Sequence, residues 1–322
     1  MQARCGSERV AAGPVHLEDM TSPQFPAHLS ASRANDFLTC PLLFRYRSID
    51  RLPEQPSVAA LRGTLVHRAL EVMFGLPSGQ RSLQTATDAL AEAWRELAVT
   101  EPASAALLLA DARVAGEGAD CDLDAASHEV SGRILAPAHD LLQTYFGMED
   151  PTRFDPHAME MSFDVPLMEA FSIRGFVDRV DIAPTGEVRI VDYKTGKAPS
   201  AGFEAKSMFQ MRFYALAWWR MTGQIPRMLR LMYLGSKEAL SYAPQESDLI
   251  ATERKVLALR DAISASAQAG VFAAKASRLC DWCSFRDLCP AWGSIPLPMP
   301  ALPTDAVPEP AVLPEDPFEA VD

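Results

Sequence analysis

Two aspartates and a lysine in the middle of the chain have the types and spacing for hydrolytic chemistry. Asp178 closes Gly175-Phe176-Val177-Asp178, and fourteen residues later comes Asp192-Tyr193-Lys194. Alternate side chains of a strand share a face, so Asp192 and Lys194 project together, roughly 7 Å apart at about 3.3 Å per residue. A hairpin partner can set Asp178 beside them. Two carboxylates and an ammonium are costly in an apolar core unless paired, whereas they suit a hydrated divalent cation with a lysine at its side. Asp-x-Lys alone occurs by chance in most proteins of this size and is more often the mark of a salt-bridged, solvated sheet face, so its weight depends on its company.

The elements that must position these residues follow from periodicity. Ser30 or Ser32 caps a short helix running to about Leu38, and Cys40-Pro41 restarts a second with proline in its first turn. A longer helix spans about Val58–Phe74, where Leu61, Leu65, Ala69, Leu70 and Met73 fall at helical spacing. The Ala- and Leu-rich stretch from about Leu83 to Phe146 reads as further helices, broken by an acidic loop at Gly116–Asp124. The period then changes to two. Met159–Val165, Phe171–Ile182 and Glu187–Tyr193 read as strands, the last two joined by Pro184-Thr185-Gly186, a hairpin signal. A helix over about Lys206–Met221, a strand over Arg227–Leu234 and a helix over about Glu246–Ala269 complete the order, with no internal repeat. Residues 1–26 and the Pro-rich acidic tail, 294–322, are expected to be disordered, leaving one folded domain over 27–293.

The carboxylates and lysine have that company. His67 in Arg62-Gly63-Thr64-Leu65-Val66-His67, Asp178, Asp192 with Lys194, and Gln210 with Tyr214 in Gln210-Met211-Arg212-Phe213-Tyr214 occur in this order on helix, strand, strand and helix. Over roughly residues 29 to 292 the sequence resembles the RecB-like branch of the PD-(D/E)xK nucleases. The resemblance implies an α/β, restriction-endonuclease-like core sheet flanked by helices. It implies that His67, Asp178, Asp192 and the Tyr193 carbonyl bind Mg²⁺ or Mn²⁺, and that Lys194 positions or deprotonates the attacking water or stabilises charge on the phosphate. Gln210 and Tyr214 would support the site and the nucleic-acid backbone. Glu160 falls where such nucleases often carry a supporting glutamate, though an exposed strand glutamate is as ordinary. Imidazole is an unusual ligand for hard Mg²⁺, so Mn²⁺ should serve at least as well.

The cysteines form a second constellation. Cys280-x-x-Cys283 and Cys289-Pro290 make a tight trio, and Cys40-Pro41 supplies the fourth thiol. Four thiolates bind zinc or an iron-sulfur cluster, and spacing does not choose between them. One distant cysteine plus a C-terminal trio resembles the iron-sulfur staple of AddB-type and CRISPR-associated RecB-like nucleases, which implies a 4Fe-4S cluster clamping the two ends of the domain. Cys5 and Cys121 lie outside the pattern.

The net charge of -12 speaks against nucleic acid, but its distribution softens the objection. From Gly293 onward there is no Lys or Arg, while Asp305, Glu309, Glu315, Asp316, Glu319 and Asp322 supply half of the excess. Glu117, Asp120, Asp122, Asp124 and Glu129 supply most of the rest, and Arg33, Arg45, Arg47, Arg51, Arg62 and Arg68 could line a groove. No apolar run is long enough for a membrane span or arranged for secretion, so the expected compartment is the cytoplasm, where structural disulfides are not expected. There is no phosphate-binding Gly-x-x-x-x-Gly-Lys-Ser/Thr loop, so a helicase or repair partner would be a separate polypeptide. The expected activity is metal-dependent exonucleolytic hydrolysis of DNA, on single-stranded ends, in repair or recombination. The competing readings are a spacer-processing nuclease of CRISPR adaptation, a non-catalytic DNA-binding subunit of a repair complex, and a zinc-stabilised interaction protein.

Overall fold

The computed structural model describes residues 27–54, 56–114, 129–199 and 205–300; the expected acidic loop, Cys5 and Cys121 lie outside them. A short strand β1 (His28–Leu29) leads into α1 (Ala31–Thr39), capped by the Ser30 hydroxyl, which accepts from Arg33 N at 3.2 Å. α2 (Pro41–Phe44) runs on into a wider π turn over Arg45–Ile49. Ser57 caps α3 (Val58–Phe74), and a capping box of Ser82 with Thr85 starts α4 (Leu83–Thr100). α5 (Pro102–Val114) and α6 (Glu129–Phe146) complete a helical layer. The strands β2 (Ala158–Met168), β3 (Phe171–Ile182) and β4 (Val188–Lys194) follow, then α7 (Ala205–Thr222), the hairpin β5 (Met228–Tyr233) and β6 (Glu238–Tyr242), and α8 (Glu246–Gln268).

The strands form a six-stranded sheet in the order β1-β3-β4-β5-β6, with β2 along the other edge of β3. Val177, Val180, Ile190, Leu229 and Leu231 join the core with α1, α2, α7 and α8, while Val191, Tyr193, Met232 and Leu234 join that of α3, α4 and α6. The sheet is thus buried on both faces, which is why its central strands carry apolar runs. No helix among the described residues is long and apolar enough to cross a membrane.

Three features depart from sequence expectation. β1 pairs in parallel with Ser172 and Ile173, β6 closes the far edge, and past 293 Leu297 and Met299 reach back to the core. There Leu297 and Met299 lie partly buried against the core and Pro298 O accepts from Arg45.

The pairing of β3 sets up the site. β2 follows one edge of β3 from Phe171 to Val180, while the other edge pairs with β1 only at Ser172–Ile173 and with β4 only from Arg179 to Ile182. Residues 174–178 therefore have no strand partner on that edge. β4 continues past the fork, and Asp192, Tyr193 and Lys194 keep only their pairing with β5 on the opposite edge. A notch opens between two strands of a buried sheet.

Candidate active site

The notch is where the chemically competent side chains meet. α3 buries Leu65, Val66, Ala69, Leu70 and Met73, which leaves His67 on the side turned toward the end of β4. Its Nε2 lies 3.0 Å from the Tyr193 carbonyl oxygen. With Nε2–H donating there, the Nδ1 lone pair faces Asp178 Oδ2 at 3.6 Å and Glu160 Oε1 at 3.8 Å, too far for good hydrogen bonds. Ligand atoms of His67, Glu160 and Asp178 all lie within 4.8 Å of one another, the spacing of donors around a shared ion.

Glu160 reaches this position at a conformational cost. The register pairs Met159 with Arg179 and Met161 with Val177, so Glu160 stands opposite Asp178. Its φ of 45° is in the left-handed region, which costs a non-glycine residue about 1–3 kcal/mol and clusters at functional sites. Asp178 is fixed from the other strand, its Oδ2 accepting from Tyr193 N at 2.7 Å where the β3–β4 ladder has ended. Gly175 permits the same local packing: a Cβ there would lie 2.8 Å from Phe163 Cζ.

Asp192 and Lys194 form the second half of the site. Asp192 is 1% exposed, and its Oδ2 forms an ion pair with Lys194 Nζ at 2.7 Å. Gln210 on α7 ties the pair together: its Nε2 donates to Asp192 Oδ1 at 3.0 Å and to Tyr214 OH at 2.7 Å, while Oε1 accepts from Lys194 Nζ at 2.9 Å. The i,i+4 pair on α7 thus faces the Asp-x-Lys strand. Of the residues singled out from sequence, the structure gathers His67, Asp178, the Tyr193 carbonyl and Glu160, and holds Asp192 against Lys194 and Gln210.

Burial and crowded charge perturb these groups. Burial first, and the field of Asp192 second, push the Asp178 carboxyl up to about 7. Burial also raises Asp192, against the pull of Lys194. Burial would lower the His67 imidazole, but the nearby Glu160, Asp178 and Asp192 carboxylates outweigh it and raise it. Carboxylates held close together and away from water are short of positive charge, which a divalent cation supplies. An imidazole with hard carboxylate oxygens suits Mn²⁺ or Mg²⁺.

A buried ionic layer lies beneath the site. Arg179, fully buried on β3, donates from Nη1 to Tyr193 OH at 2.6 Å, from Nη2 to Glu149 Oε2 at 2.8 Å and from Nε to Asp181 Oδ2 at 3.2 Å. Arg189 of β4 bridges the same two carboxylates at 3.0 and 2.8 Å. The sequence offered one signal for this layer, charged residues inside otherwise apolar strands, which pairing alone makes tolerable.

The four cysteines of the second constellation are free thiols lining one cavity with Leu42 and Tyr46. Lys275 N donates to Cys40 Sγ at 3.4 Å and Ser277 N to Cys280 Sγ at 3.3 Å. The surrounding contacts join the two ends of the domain: Tyr46 OH donates to Leu288 O at 3.0 Å, Tyr46 meets Phe285 edge-on, and Leu42 N donates to Ala273 O at 3.3 Å.

Residues 28–290 match the PD-(D/E)XK nuclease superfamily. The chain belongs to that superfamily. Its six-stranded sheet flanked by helices is the mixed α/β, restriction-endonuclease-like fold of these nucleases, which act on nucleic acid and typically use Mg²⁺ or Mn²⁺. No curated protein matches the chain. Among solved structures, the crystal structure of SSO0001 is similar over 82% of this chain and 86% of that one, at 12% identity and a TM-score of 0.36.

Proposed function

We propose that this superfamily member is a metal-dependent DNA exonuclease that works on single-stranded ends in repair or recombination. The observation that carries the reading is the meeting, at one notch in the sheet, of His67, Glu160 and Asp178 with the Asp192–Lys194–Gln210 group. A cation held by His67, Glu160 and Asp178, with Asp192 and the Tyr193 carbonyl as further donors, would supply a water of lowered pKa and offset negative charge on the phosphate. Lys194 Nζ, beside Asp192, is placed to orient the attacking water and to donate to a phosphate oxygen as charge develops on it. Gln210 holds Asp192 and Lys194 in mutual register, so neither has to be reoriented during the reaction. Asp178 accepts from the Tyr193 amide and thereby ties β3 to the catalytic end of β4.

The cysteine cavity supports a 4Fe-4S cluster held by Cys40, Cys280, Cys283 and Cys289. All four thiols line one cavity, and backbone amides donate to Cys40 and Cys280 as they do to metal-bound thiolates. The resemblance to iron-sulfur nucleases favours the cluster over zinc.

Incubation of anaerobically purified protein and Mn²⁺ with matched linear and circular single-stranded DNA tests the exonuclease reading. Loss of the linear form alone is expected, and equal loss of the circle would make the enzyme an endonuclease.

A further inference from the structure

The groove over the proposed metal site carries an apolar side chain that the hydrolytic chemistry does not use. Phe176 is 61% exposed, although β3 lies inside the sheet and both Ile173 and Val177 are buried. It sits in the stretch of β3 that has β2 on one edge and no strand on the other. Gly175 and Phe163 are in close packing on the opposite face. Phe176 and Asp178, two residues apart on one strand, share a face and stand roughly 7 Å from each other along it. Phe176 lines the same groove, of about 930 Å³, as His67, Glu160 and Lys194, with Lys197 and Lys206 also on its walls.

A phenyl ring left in water beside lysines and a cation-binding carboxylate cluster is a specific combination. Proteins that bind single strands pair a basic track for the phosphates with an aromatic face on which a base stacks. We propose that Phe176 is a stacking platform for one nucleobase of single-stranded DNA, whose adjoining phosphate lies at the His67–Glu160–Asp178 centre. The assignment rests on the nuclease reading above and adds what selects the substrate. In a duplex both faces of an internal base are covered by its neighbours, so only an unpaired or terminal base can offer a face to Phe176. The ring thereby favours single strands without reading sequence, since every base has a π face.

The test is a binding cycle on the full chain, by anisotropy of a labelled phosphorothioate single strand in Mn²⁺, with normal bases or with abasic sites along the labelled end. Wild type should bind the abasic strand roughly 5- to 100-fold more weakly, and Phe176→Ala should bind the normal strand more weakly by a similar factor. Phe176→Ala should not distinguish the two strands, and Phe176→Tyr should behave as wild type. Equal binding of the normal strand by wild type and Phe176→Ala would overturn the proposal, as would a Phe176→Ala defect that persists on the abasic strand. Should the ring instead join two copies of the chain, a concentration-dependent mass lost in Phe176→Ala with no abasic effect would show it, and would also overturn the proposal. Cleavage of natural DNA by the same proteins separates the two claims: KM should rise in Phe176→Ala with kcat near wild type. A wild type that shows the binding cycle but cleaves nothing would defeat the nuclease reading and leave the stacking assignment standing.

Discussion

Replacing Arg179 with leucine should weaken metal binding at a site the residue never touches. Arg179 is fully buried and bonded to Tyr193 OH, Glu149 and Asp181, and Tyr193 in turn supplies the amide that holds Asp178 and the carbonyl beside His67. Removing one partner of a buried ionic group costs about 3–5 kcal/mol, because the remaining charges stay buried. Arg189 still bridges Glu149 and Asp181, which places the loss near the lower end, at about 3 kcal/mol. For a folded unit of this size that is a fall in Tm of about 5 °C. The Tyr193 ring, released from its anchor, should let the end of β4 shift, and mutations one layer behind metal ligands typically cost about 10–100-fold in affinity. Thermal unfolding and Mn²⁺ titration calorimetry measure the two effects. Arg179→Lys, with one ammonium in place of a fork, should recover part of the stability and little of the affinity. A lowered Tm with unchanged Mn²⁺ affinity would refute the positioning argument, and an unchanged Tm would refute the energetic one.

Lys194→Ala should lower turnover by at least about 100-fold, in the range of lost electrostatic and proton-transfer groups; Mn²⁺ binding should remain, and wild-type-like cleavage would remove Lys194 from the mechanism. Metal affinity should tighten as pH rises through about 7, since Asp178 is raised to about 7 and His67 is also raised, and both must lose protons to bind the ion. Without metal the sign is opposite for stability: the fold holds protons on both groups that the unfolded chain releases earlier, so Tm should fall from pH 5 to pH 8, and a flat profile in either titration would contradict the site electrostatics. Wild type purified anaerobically should carry iron, sulfide and broad visible absorbance, and Cys283→Ser should lack all three, with the ends of the domain more open to proteolysis; a stoichiometric zinc content in wild type would replace the proposed cluster with a zinc site.

Much of the site was legible in the sequence because it is built from short local patterns. Asp-x-Lys on a strand and Gln-x-x-x-Tyr on a helix each fix two side chains on one face, whereas His67, beside the apolar stripe of α3, was picked out by resemblance to RecB-like nucleases. The structure adds what local pattern cannot carry. Glu160 enters the His67–Asp178 group through a single left-handed residue inside a strand, a conformation no propensity signals for glutamate. The notch itself depends on where β3 leaves β4, a matter of long-range pairing and of the two-residue strand β1, too short to announce itself by alternation. Arg179 was visible only as a charge in an apolar run, since its three partners come from separate segments of the chain. The segment over residues 278–292, by contrast, is a chain of short turns, and its cysteine spacing was the readable part.

The most direct test of the central claim is degradation of end-labelled single-stranded DNA by anaerobically purified protein with Mn²⁺ or Mg²⁺, beside Asp192→Ala of verified fold. Metal-dependent loss of substrate with wild type, abolished by EDTA and by the substitution, is the expected result, and the position of the label gives the polarity. Folded, metal-loaded wild type that leaves the DNA intact, or an Asp192→Ala protein that cleaves as fast as wild type, would contradict the account.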